Sequence, residues 1–220
     1  VNLFSSIGEL YNSFKIGNLD LIGTSNDNLQ EYIGTIGYSS KEIKGREHTF
    51  LAFNTSNYFL SKQEIRRAIA LNLLVKSSDV SKLSVAQNIK GQLENQGIRI
   101  NIVQASDEQY NKAIESKNYD IALCSMYVSP SPNLETFFGE GNLANYSNEE
   151  VTDIMNQVKN TTDENILKEK YKRLIEIYKS DVPYLSLYNN KYTIAYSSEL
   201  VGDLTPNWFY LFYGIEGWYK

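Results

Sequence analysis

Residues 73–103, LLVKSSDVSKLSVAQNIKGQLENQGIRINIV, and residues 106–128, SDEQYNKAIESKNYDIALCSMYV, decide the fold. Leu73-Leu74-Val75 is a short apolar run that reads as a strand. Asp79-Val80 precedes a helix from Ser81 to Gln96, along which Val85, Ile89 and Leu93 recur at helical spacing until Gly97 closes it. Ile98 to Val103 is the next strand. Ser106-Asp107-Glu108-Gln109 is a capping box, in which the Ser oxygen accepts from the third amide while the Gln side chain reaches back. It opens a helix to Lys117, and a buried strand follows at Tyr119–Val128. Strands alternating with helices in this way predict a parallel sheet with helices on its faces, because parallel strands need crossover connections.

Outward from this block, residues 4–16 read as a helix ending at Gly17, followed by a short strand at Leu19-Asp20-Leu21-Ile22. Thr49 to Asn54 reads as a buried strand, and Ser61-Lys62-Gln63-Glu64 as a further capping box opening a helix through Ile65, Ala68 and Ile69. That helix runs through Leu71 into Leu73 with only Asn72 as a turn residue, although such connections usually take about two to six residues. The junction is either a very tight turn or a place where residues have been removed. Ser129-Pro130-Ser131-Pro132-Asn133 is a loop. Ser147-Asn148-Glu149-Glu150 reads as a third capping box, leading a helix to about Lys159, and Asp163–Lys179 as the longest helix. Tyr184–Tyr188, Lys191–Tyr196 and Trp208–Tyr213 then give a β-rich end. No repeat or linker-like composition divides the chain, so it reads as a single α/β domain over 1–220.

The chain carries 21 Lys and Arg against 26 Asp and Glu, a net charge of −5, which argues against a nucleic-acid partner. Its 17 Tyr outnumber 9 Phe and 2 Trp, and Tyr suits half-wet clefts as well as sheet faces. Cys124, the only cysteine, sits in an apolar run, and His48, the only histidine, lies in a separate segment. Neither a zinc site nor a Cys–His nucleophile follows from such a pair. Glu149-Glu150 suit a helix dipole better than acid/base work, because adjacent helical residues face different ways. Gly139-Glu140-Gly141-Asn142 lacks the Lys-Ser/Thr of a phosphate loop. No catalytic residue, metal ligand or cofactor is expected, and no segment has the apolar length of a membrane span.

Several stretches occur in a family-like order. Asn54-Thr55-Ser56-Asn57, then Leu60-Ser61 and Glu64-Ile65-Arg66-Arg67-Ala68-Ile69, form an Asn-ending strand followed by an acid-aliphatic-Arg helix. Val85 to Lys90 with Gln92-Leu93 and Gly97-Ile98 form a helix-to-strand unit. Tyr119-Asp120-Ile121-Ala122 begins a "Y-D" strand; Val182-Pro183-Tyr184-Leu185-Ser186-Leu187-Tyr188 and Gly217-Trp218-Tyr219 stand near the end. In these the chain resembles the C-terminal lobe of the bacterial extracellular solute-binding proteins of family 5, which bind oligopeptides, dipeptides or nickel for ABC importers. The resemblance implies a periplasmic-binding-protein-like lobe, with a mainly parallel sheet flanked by helices and a β-rich end. It implies a peptide or small-solute ligand, ABC permease subunits as partners, a lipid-anchored parent, and a place outside the cell or in the periplasm. The ligand-binding residues it implies are Asn54, Ser125, Met126, Tyr127, Ser129, Asn142 and Tyr188, at or near strand ends.

There are departures from the family pattern. The family's large N-terminal lobe has no counterpart here, since Phe14 to Asp20 resembles a mid-protein segment. Several dozen family residues have no counterpart between Ala70 and Leu73. The family's cleft loop, "G-W-x-x-D-Y-P-D-P", offers a carboxylate to the ligand's α-ammonium, whereas Ser125 to Pro132 occupies that place and Ser129 stands where the Asp would be. The alternative reading is a stand-alone sensory or interaction module derived from such a lobe, without transport.

Overall fold

The computed structural model describes residues 3–25, 37–56, 70–128 and 134–220. The helix read from Ser61 and the loop at 129–133, with Ser129, lie outside the described residues. In chain order the elements are α1 (Ile7–Lys15), β1 (Leu21–Thr24), β2 (Tyr38–Phe53), β3 (Ala70–Lys76), α2 (Val80–Asn95), β4 (Arg99–Ala105), α3 (Asp107–Glu115), β5 (Ile121–Tyr127), α4 (Glu135–Phe138), α5 (Glu149–Lys159), α6 (Glu164–Asp181) and β6 (Tyr184–Ser197), with a short 3-10 turn at Ile215–Gly217. The strands form one six-stranded sheet in the order β1-β6-β2-β5-β3-β4. The chain gathers into two compact units, one of residues 1–48 and 189–220, the other of 49–188. Long strands carry the chain from one unit to the other, so no linker composition marks the division.

The larger unit holds the parallel block. β3 pairs with β4 from Ala70↔Arg99 to Lys76↔Ala105, and with β5 at Leu73↔Ile121 and Leu74↔Ala122, all parallel. The alternation of side chains along a strand sorts these residues to two faces. Leu71, Leu73, Val75, Ile121 and Leu123 pack with Ala86, Leu83, Ile89 and Leu93 of α2. Leu74, Ala122 and Cys124 pack with Tyr110, Ala113 and Ile114 of α3 on the other face. Both faces are thus covered, which is why these strands read as continuous apolar runs. Each fully buried aliphatic side chain contributes roughly 1.5–3 kcal/mol.

The sequence signals for helix starts are largely met. Asp79 caps α2 by accepting from the Lys82 amide at 2.9 Å. Both halves of the Ser106–Gln109 box are formed. The third box is displaced by one residue: Asn148, not Ser147, is the cap, and its Oδ1 accepts from the Glu150 and Val151 amides at 3.0 and 3.3 Å. Asn is as good a cap as Ser, so adjacent candidates compete on geometry alone.

The puzzling junction before Leu73 also changes. Leu71 belongs to β3, which begins at Ala70, and Asn72 lies within the strand, its backbone amide and Nδ2 both donating to Asp120 Oδ2 at 2.9 Å. No one-residue turn is needed there.

The smaller unit pairs β1 antiparallel with β6, from Leu21↔Tyr196 to Thr24↔Thr193, so the whole sheet is mixed. Its core is Tyr11, Phe14, Ile22 and Ala195. β6 is a single strand where two were expected: Asn189-Asn190 carries no Gly or Pro to break it, and Asn190 Oδ1 accepts from the Glu47 amide at 2.9 Å. The expected strand at Trp208–Tyr213 is absent. Asn207 Oδ1 instead accepts from the amides of Phe209 and Tyr210, both at 3.0 Å, folding the segment into a turn. An aromatic run has strand propensity, but propensity without a pairing partner does not make a strand.

Candidate functional site

The path of the chain through the parallel block creates a crevice. From β3 it crosses by α2 to β4 on one side; from β4 it returns by α3 to β5 on the other side of β3. Strand order therefore reverses at β3 and β5, and open α/β sheets bind ligands outside the carboxyl ends of strands at such a switch point. A cavity of about 750 Å³ lies there, walled by Lys76 at the end of β3, Ser78 and Asp79 just after it, Lys82 of α2, Tyr110 of α3, and Cys124 and Ser125 of β5.

The loop after β3 is braced from several directions. The Ser77 amide donates to Ala105 O at 2.8 Å, and Ser78 Oγ lies 2.6 Å from Asp107 Oδ1, to which it donates. Lys82 Nζ is 2.8 Å from Asp79 Oδ2. Lys76 Nζ is 3.9 Å from Asp107 Oδ2 and 5.2 Å from the centroid of the Tyr110 ring. Partial burial would raise the Asp79 carboxyl, but hydrogen bonds from the Lys82 side chain and backbone outweigh it and hold the group below its ordinary value. Burial pushes the Cys124 thiol up to about 11, despite a hydrogen bond from Tyr110, so it stays protonated at neutral pH. The Tyr110 hydroxyl is raised mainly by burial and donates to Leu123 O at 2.9 Å.

Of the sequence candidates, Ser125 lines this cavity and Met126 packs against the adjoining core. Tyr127, which ends β5, is 65% exposed. Tyr188, on β6, is 41% exposed. Asn54 and Asn142 are buried, and their amides are spent on the fold. Asn54 Nδ2 donates to Lys117 O at 2.8 Å and Tyr119 O at 3.0 Å, while its Oδ1 accepts from Ser56 at 2.8 Å. Asn142 Nδ2 donates to Gly139 O and Tyr146 O at 2.9 and 2.7 Å, and its Oδ1 accepts from the Tyr146 amide and Tyr184 hydroxyl at 3.0 and 3.1 Å. Neither lines the cavity at the switch point.

A second cavity, of about 730 Å³, opens at the other end of the parallel strands between Phe53, Leu71, Leu93, Ile98, Ile121 and Tyr146. Among the described residues no group of three or more His, Cys, Asp or Glu could hold a metal ion, and no helix is long and apolar enough to cross a membrane.

Solved structures share this architecture. An ABC-transporter substrate-binding protein from Listeria monocytogenes superposes with a TM-score of 0.78 at 12% identity, over 99% of this chain and 59% of its own. The fold is that of ABC-transporter substrate-binding proteins. An oligopeptide-binding protein from Bacillus subtilis, solved with a nonapeptide, gives a TM-score of 0.67 at 11% identity over 96% of this chain and 57% of its own. A nickel ABC transporter from Bacillus halodurans gives 0.76 at 14% identity over 93% and 58%. The chain thus spans a little under three-fifths of the length of these proteins. No protein-family model matches the sequence, and neither does any curated relative.

The cavity is also lined by Lys76, Ser78, Asp79 and Lys82, which the sequence pattern does not single out. The signal was present: a polar Lys-Ser-Ser-Asp run after an apolar strand and before a capped helix is where the carboxyl end of a parallel strand delivers side chains.

Proposed function

We propose that the chain forms the ligand-binding lobe of a substrate-binding protein for an ABC importer, and that it seats a peptide or comparable small solute at the carboxyl ends of β3 and β5. The observation that carries this reading is the 750 Å³ cavity at the switch point of a fold shared with substrate-binding proteins. Small-solute sites are concave, partly apolar and fitted with a few convergent polar groups, as this one is. On this reading the permease subunits are the partner, and the protein works outside the cell or in the periplasm, its parent held by a lipid. It binds and does not catalyse: a protonated, buried Cys124 is a poor nucleophile, and His48 belongs to the other unit. Ser125, Met126 and Tyr127 at the end of β5 would contribute to the seat, with Ser129 beyond them and Tyr188 as a further candidate.

The test is calorimetric titration of the full gene product with a tripeptide library, alongside Ser125→Phe, whose ring would intrude on the cavity at its β5 wall. Micromolar binding by some peptide and a loss of at least about tenfold in the variant are expected, a change of about 1.4 kcal/mol. Absence of any binding, or an unchanged affinity in a folded Ser125→Phe protein, rejects the seat.

A further inference from the structure

Among the described residues, three charged side chains wall the switch-point cavity: Lys76, Asp79 and Lys82. Two cations against one acid give this wall a formal charge of +1. The acid is already engaged. Asp79 Oδ2 lies 2.8 Å from Lys82 Nζ, and Asp79 Oδ1 accepts from the Lys82 amide at 2.9 Å to cap α2. Lys76 is held far more loosely. Its Nζ makes no hydrogen bond among the described residues, and its one ion pair there is with Asp107 Oδ2 at 3.9 Å. Asp107 does not line the cavity, its side chain is 61% exposed, and its other oxygen accepts from Ser78 Oγ at 2.6 Å. A pair so long and so open to water is worth little, so Lys76 gives up little in turning to a ligand.

What positions this ammonium is an aromatic ring: Lys76 Nζ lies 5.2 Å from the centroid of Tyr110, and Tyr110 is itself buried, its hydroxyl donating to Leu123 O at 2.9 Å. A ring face attracts a cation without taking up its N–H donors. The carboxyl end of β3 thus presents a placed ammonium with donors to spare, beside the uncharged Ser78 and Ser81 and an apolar wall from Ile114, Leu123 and Leu143. Resting on the receptor reading above, we infer that this cavity anchors a carboxylate end of the ligand, and that Lys76 is the residue that selects it. A carboxylate entering here exchanges water for a charge-assisted hydrogen bond from a donor already in place, whereas the corresponding amide brings no charge to the pair. An ammonium would meet a wall of its own sign whose one acid is taken by Lys82.

Calorimetry of the full gene product tests this with one binding tripeptide that has no acidic side chain, prepared as the free acid and as the C-terminal amide. The wild type should prefer the free acid by at least about tenfold, or about 1.4 kcal/mol. Lys76→Met keeps an apolar stem over Tyr110 and removes the charge. Its preference should fall to about threefold or less, through weaker binding of the acid with the amide little changed. Lys76→Arg restores a cation and should keep the preference above that level. A purely structural role for Lys76 would weaken both probes alike and leave their ratio unmoved. A wild-type preference below about tenfold overturns the inference while the receptor reading stands, since the peptide still binds. So does a folded Lys76→Met protein that keeps its preference, because the selecting charge then lies elsewhere. Should Lys76→Met fail to fold, Lys76→Gln carries the same comparison. If no peptide of the library binds the wild type, the receptor reading falls and takes this inference with it.

Discussion

Asn142 satisfies four hydrogen bonds through one amide, all to its own chain. Replacing it by Ala would leave buried donors and acceptors of the 139–146 turn unpaired, so Asn142→Ala should destabilise the protein by about 3 kcal/mol. Urea denaturation measures this, and a loss below about 1 kcal/mol would show that the turn repairs itself. Asp79 makes a different prediction, in pH. Its carboxyl is held below the ordinary value in the folded chain, so its contribution is complete above the unfolded value and disappears as pH falls through the folded one. Asp79→Asn should flatten the acid limb of the stability–pH curve; an unchanged limb would mean that the Lys82 pair does not form in solution. At this scale the sequence is least legible. An Asn at a strand end or in a Gly-rich turn looks the same whether its amide faces a ligand or clasps backbone. Only the tertiary neighbours of Asn54 and Asn142 reveal how those amides are used.

Among elements, α6 ends in an unusual way: Val182, which caps it, has φ 45° and ψ 55°. A β-branched residue in the left-handed region is strained by about 1–2 kcal/mol, because Cβ crowds the following carbonyl. Gly relieves that strain at some entropic cost to the folded state, so Val182→Gly should be as stable as the parent or up to about 1 kcal/mol more so. Thermal unfolding decides it, and a loss above about 1 kcal/mol would indicate that Val182 packing outweighs the backbone cost. In the smaller unit, a Cβ at Gly45 would collide with the Asn190 side chain, whose Oδ1 holds the Glu47 amide. Gly45→Ala should therefore destabilise, with urea denaturation again as the readout. Elements whose signals are local were legible: α2 and α3 announce themselves by caps, helical spacing and closing residues. The aromatic run at 208–213 was not, since its outcome depends on whether a partner strand lies beside it, and Asn207 diverts it into a turn.

For the molecule as a whole, the parallel block was written in the alternation of helix and strand, and β3, β4 and β5 pair accordingly. The division into two units left no trace in composition, because continuous strands rather than a linker join them. The proposed seat at the switch point rests on strand order, which sequence does not state: the reversal at β3 appears only when β5 is seen to return beside it. The central claim is that ligand occupies the carboxyl edge of β3 and β5. Hydrogen–deuterium exchange of the full gene product, with and without a saturating tripeptide found in the library screen, measures this most directly. Protection is expected to concentrate at residues 76–82, 105–111 and 123–128. Protection confined to the opposite rim, near Thr55, Leu93, Tyr146 and Asp181, would contradict the account and move the site to the other end of the sheet.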